Sequence, residues 1–172
     1  MTPLQWALTW QLLLLAYHQL TTSLDLFPFN GSRFYSRQER TAEMLVNLVL
    51  MGLAVLGSVL DSPGLRLYAV IYYFVLFGIE LVIWWLPYVC EPAGTWRTLY
   101  NLALAVGTSD FAPGDTLARW QRTFDRIHAQ TIFVLPRKPG RITPNLDHLI
   151  LHSITLVTVL ATYYAYSAQR AP

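Results

Sequence analysis

Four stretches of this chain, residues 4–29, 42–60, 65–88 and 147–166, are long and apolar enough to cross a bilayer, which takes about 20 residues of helix. A hydrocarbon core offers no water to backbone N–H and C=O groups, so such segments fold there as helices. The pattern predicts an all-α, polytopic membrane protein: four transmembrane helices in one bundle, forming a single domain over residues 1–172. Composition agrees, because 13% of the residues are charged, against about 25% in soluble domains. Disorder is excluded by 6 Trp, 10 Tyr and 8 Phe, which supply more apolar surface than a disordered chain carries.

The first stretch is the most polar, with His18, Gln19, Thr21, Thr22, Ser23 and Asp25 in its second half. It reads as a span whose polar side faces other helices. Pro28 with Asn30-Gly31 ends it, Ser62-Pro63-Gly64 separates the next two spans, and Pro87 closes the third. Asn145 is placed to cap the fourth.

Basic residues set the orientation. Loop 30–41 carries Arg33, Arg37 and Arg40, and segment 89–146 carries Arg97, Arg119, Arg122, Arg126, Arg137, Lys138 and Arg141. The other side carries only Arg66 and Arg170. Both loops are therefore expected in the cytoplasm and both termini outside, in a cytoplasmic membrane of bacterial type. The preference for Arg over the lone Lys138 fits a GC-rich genome and is not read as nucleic-acid binding. No Lys or Arg precedes the first apolar run, so a cleaved signal peptide is not expected. A single cysteine, Cys90, excludes an internal disulfide and a multi-cysteine zinc site.

Segment 89–146 predicts helices over 95–106 and 115–134. In the second, Leu117, Trp120, Phe124, Ile127 and Thr131 form one stripe. Two readings stand: an interfacial helix lying on headgroups, or a cap over the bundle.

Ionisable groups inside a span cost roughly 2.5–3.5 kcal/mol each, so each needs a partner or a purpose. At 1.5 Å of rise per residue, His18, Asp25, Asn47, Glu80 and His152 all fall within about 16 Å of the cytoplasmic boundary. The pairs His18 and Asp25, Glu43 and Asn47, and His148 and His152 each share a helix face. The stripes would converge as a pocket in the cytoplasmic half. His18, Asp25, Glu80 and His152 are the candidate catalytic residues, Asn47 a substrate hydrogen-bond partner, and Arg122, Arg126 and Arg137 the headgroup contacts.

Two chemistries fit the pocket. His148 and His152, four residues apart, could hold one divalent metal with Glu80, Asp25 or His18 completing the set. Alternatively Glu80 and a histidine form a metal-free acid–base pair, because burial raises a carboxyl pKa and lowers an imidazole pKa. Structural roles compete: Glu43 pairing with Arg40, Asp147 as helix-N-terminal charge, His148 as an interfacial residue, and the four candidates as hydrogen-bond links between helices. Tyr68, Tyr72, Tyr73, Trp84, Trp85 and Tyr88 read as aromatic belts, and Gly52, Ala54, Gly57 and Ser58 as a close-packing face.

The run 76–87, an acidic residue inside a span closed by proline, resembles one helix of the sterol isomerase and sigma-2 receptor family, a four-helix membrane fold. The resemblance implies a lipid-handling site by analogy and assigns no residue a role. The chain is thus expected to bind or chemically modify a lipid or other hydrophobic molecule. The alternatives are a non-enzymatic subunit of a channel, transporter or signalling and defence complex, partnered by other membrane proteins or by copies of itself.

Overall fold

Local sequence starts each long helix. In the computed structural model, which describes residues 1–90, 93–108 and 112–169, six helices and no strands are found among the described residues. They are α1 (Pro3–Ser23), α2 (Arg37–Val59), α3 (Pro63–Val89), α4 (Gly94–Thr108), α5 (Thr116–Ile127) and α6 (Leu146–Ala168). Arg170, counted above for orientation, and parts of segment 89–146 lie outside the described residues. Capping boxes open α1, from Thr2 to Gln5, and α2, from Ser36 to Glu39. Asn145 caps α6 as expected, its Oδ1 accepting from the His148 backbone N–H at 3.0 Å.

Three helices, α2, α3 and α6, are long and apolar enough to cross a membrane, which points to a membrane location. The sequence predicts four spans; α1 has the length, but Gln5, Gln11, His18 and Gln19 leave it outside that set. It also stops at Ser23, short of the expected residue 29. Asn30 is the reason: its Nδ2 donates to Thr21 O at 2.7 Å and Leu24 O at 3.0 Å, taking carbonyls that a longer helix would use.

α1 packs on α2 and α6, α2 on α3, and α3 on α6, which closes a ring of four helices. Leu14, Met51, Ala54, Ala69, Tyr73 and Val159 fill its centre. Gly57 lets α2 and α3 close on each other, since a Cβ there would lie 2.7 Å from the Leu65 carbonyl carbon. Leu45, Val49, Ile71, Phe74 and Leu160 point outward and stay exposed. That belt suits lipid contact.

One turn of α3, Leu81–Trp85, is π-helical, so the Leu86 N–H reaches back to Leu81 O. Val82 O thereby loses its usual donor, and Pro87, without an N–H, cannot supply Val82 or Ile83. Both carbonyls are taken from outside the helix: Tyr100 OH of α4 donates to Val82 O at 2.9 Å, and Trp120 Nε1 of α5 to Ile83 O at 3.1 Å. Both helices between α3 and α6 are thus tied to the bundle through this irregular backbone.

The second predicted helix ends at Ile127, not 134. Its stripe is spent on the protein: Phe124 is buried with Trp84 and Ile142, and Leu117 and Trp120 pack against them. The structure therefore follows the capping reading, and the outward face of α5 carries the charges. Trp84, expected in an interfacial belt, is buried at the centre of this cluster.

Candidate functional site

The bundle end that carries loop 24–36 and α5 encloses a partly open cavity of about 60 Å³. α1 contributes His18, α2 Arg40 and Glu43, and α6 Asp147 and His148. The fourth wall is His128, just past the end of α5. Gly31 makes that wall possible, because an added Cβ would lie 2.5 Å from Ile127 O. The close approach sets Tyr35 OH 3.3 Å from His128 Nε2.

Trp84 is the shared platform of three imidazoles. His148 lies over it with ring centroids 3.7 Å apart, His128 at 5.0 Å and His152 at 6.2 Å. Proton positions follow from fixed donors. The Asn145 Oδ1 already accepts from a backbone N–H, so His148 Nδ1, 2.6 Å from the same oxygen, carries its proton and donates. His148 Nε2 then holds a lone pair. At His152, Trp85 Nε1 donates to Nδ1 at 3.0 Å, so the proton sits on Nε2.

His18 has Nε2 3.7 Å from Glu43 Oε1. Its Nδ1 is buried with no hydrogen-bond partner among the described residues, as is His128 Nδ1. Burial lowers the His128 pKa to about 3, so that ring is neutral at ordinary pH. Burial also raises the Tyr35 phenol above its ordinary value, with the Glu43 and Glu39 charges adding to it. Asp147 is buried and accepts from Tyr17 OH at 2.9 Å.

The structure brings only part of the expected set together. His18 and His148 line the cavity. His152 stands behind His148, with ring centroids 5.7 Å apart. Glu80 is buried deeper between α3 and α6, with Oε1 accepting from Thr155 Oγ1 at 2.9 Å and Oε2 without a partner among the described residues. Asp25 is not at the site: α1 ends before it, so it no longer shares a face with His18. It lies at the surface, 3.1 Å from Arg33 Nε, and that hydrogen bond holds its carboxyl below the usual range. Asn47 donates to Glu43 O of its own helix at 3.0 Å and does not line the cavity. Arg122 and Arg126 are exposed on α5, and Arg137 donates to Ala129 O at 3.2 Å with its guanidinium over Phe133. None of the three reaches the cavity.

Glu43, expected to pair with Arg40, faces His18 instead. His148, expected either as a metal ligand with His152 or as an interfacial residue, is held by Asn145 and Trp84. Among the described residues no group of three or more His, Cys, Asp and Glu side chains converges as a metal-binding set. His128 is the histidine the sequence reading leaves out; its position four residues after Phe124, on the buried stripe, was the available signal.

No family model, curated protein or solved structure matches this chain. The site must therefore be read from its own chemistry.

Proposed function

We propose that this protein is a four-span protein of a cytoplasmic membrane whose cavity binds the polar end of a lipid or other hydrophobic molecule and moves a proton on it. The place of α1 in the closed ring of helices supports counting it as the fourth crossing. The excess of basic residues at the cavity end supports placing that end in the cytoplasm.

The observation that carries the reading is His18. Its Nδ1 is buried and unpartnered among the described residues, while Glu43 stands at its other ring nitrogen. A buried polar atom without a partner costs about 1–3 kcal/mol, a cost that a bound ligand group removes. With Glu43 beside Nε2, the proton belongs on that nitrogen and the Nδ1 lone pair is left to accept from a ligand. The ligand's proton passes to Nδ1, and Glu43 and Asp147 line the same cavity. His128 stays neutral and offers one free ring nitrogen to the same molecule.

Native mass spectrometry of the purified protein in mild detergent tests this reading. The protein should retain a lipid or other hydrophobic molecule, and His18→Gln should retain it about tenfold less with unchanged circular dichroism. A protein that retains nothing, or a variant that retains as much, overturns it.

A further inference from the structure

The cavity around His18 continues sideways. Thr22 and Arg40, which line it, also line a groove of about 180 Å³ with Arg37 and Met44. Arg37 and Thr41 carry that groove on to an open face of α2 formed by Ala42 and Leu45. The spacing explains the continuity: Arg37, Thr41 and Leu45 are four residues apart and lie on one helix face. Over that face, polarity falls from arginine through threonine to leucine across about 12 Å of helix.

The charges along this path are unequal. Nearby carboxylates are engaged elsewhere: Glu39 accepts from the Ser36 N–H at 2.7 Å, Glu43 faces His18 at 3.7 Å, and Asp25 takes Arg33 at 3.1 Å. Arg37 and Arg40 are in no ion pair among the described residues. The Arg40 Nε is also buried without a hydrogen-bond partner among them. Two arginines outside any ion pair among the described residues, one of them partly desolvated at the junction of cavity and groove and felt only at longer range by Asp25, call for an anion with several oxygens.

We infer that the groove between α1 and α2 is a lateral binding site for an anionic amphiphile, with a phosphate or carboxylate held by Arg37 and Arg40 and an acyl chain lying along Ala42 and Leu45. The inference rests on the lipid reading above and names the substrate class and the entry side. The amphiphile enters from the membrane between α1 and α2, and its polar end comes within reach of His18. The headgroup contacts move accordingly from Arg122, Arg126 and Arg137 to the first turn of α2.

The test uses the whole protein in neutral maltoside detergent, offered phosphatidylglycerol, phosphatidylcholine or oleate in mixed micelles and read by native mass spectrometry. Phosphatidylglycerol or oleate should be retained about tenfold over phosphatidylcholine, and whichever of the two is preferred identifies the headgroup. Arg40→Gln should abolish the preference and Arg40→Lys should keep most of it. Arg122→Gln, on the exposed face of α5, should leave it unchanged. If Arg40→Gln fails to fold, the exposed Arg37→Gln decides, with an expected loss of several-fold. Retention of phosphatidylcholine as strongly as the anionic amphiphiles overturns this inference and leaves the lipid reading standing. Retention of no amphiphile at all removes both.

Discussion

The two ends of the bundle bury polar side chains of different kinds. At the end away from the cavity, Gln11 of α1 is fully buried, donating through Nε2 to Thr162 Oγ1 at 3.1 Å and accepting at Oε1 from Ser58 Oγ at 3.0 Å. One amide thus joins three helices. Arg66, buried beside them, pairs with Asp61 and donates from Nη1 to Gln169, while its Nε and Trp10 Nε1 have no hydrogen-bond partner among the described residues. At the cavity end, His18 Nδ1, His128 Nδ1 and Arg40 Nε have no hydrogen-bond partner among the described residues. Buried polar groups are normally satisfied. The Gln11 layer therefore works as glue between helices, whereas the unpartnered groups of the cavity end line one opening, where we propose that a ligand binds.

The largest expected effect tests what supports the site. Trp84→Ala removes the platform under His128 and His148 and should cost about 3–5 kcal/mol, read as a fall in melting temperature by circular dichroism. A small loss would mean that the histidine cluster holds itself without the indole.

Acid separates the two ends next. His128 binds a proton near pH 6.5 when unfolded and only near 3 when folded, so its contribution is complete above pH 6.5 and is lost as pH falls toward 3. The slope is about 1.4 kcal/mol per pH unit. His128→Gln should flatten the dependence of melting temperature on pH over that window, and an unchanged slope would assign the acid sensitivity elsewhere.

The smallest effect sharpens the contrast from the other side. Gln11→Ala leaves two hydroxyls without their partner and should cost about 1–3 kcal/mol, while lipid retention at the far end stays as in the parent. If Gln11→Ala instead releases the bound amphiphile without loss of stability, the polar layer is part of a longer path and the comparison fails.

These contrasts also separate what was legible in the residues from what was not. Asn145 as a helix cap, Pro63 and Pro87 as punctuation, and the long apolar spans could be read because caps and hydropathy act within a few residues. Asp25 falls off the expected face because Asn30, five residues on, takes the Thr21 and Leu24 carbonyls and ends the helix earlier than the apolar pattern alone predicts. For Glu43 the sequence leaves open a pairing with Arg40 on its own helix or a place on the pocket stripe, and only packing brings in His18 of α1 as its partner. Gln11 and Thr162 carry no signal in the sequence because neutral polar residues are common in helices, and Ser58 reads there only as a small packing residue. Only their meeting across three helices makes them a layer.

By itself, then, the sequence determined the helical class, the apolar spans and most helix starts, since these depend on periodicity, hydropathy and local hydrogen bonds. It also marked the cavity end as the richer one in ionisable residues. Only the tertiary structure decided which of those residues meet. The π-turn before Pro87 frees two carbonyls that anchor α4 and α5, Gly31 admits the end of α5, and His128 arrives from 20 residues before His148 to share Trp84 with it. That encounter depends on packing between distant segments, for which no single stretch of sequence carries a periodic signal.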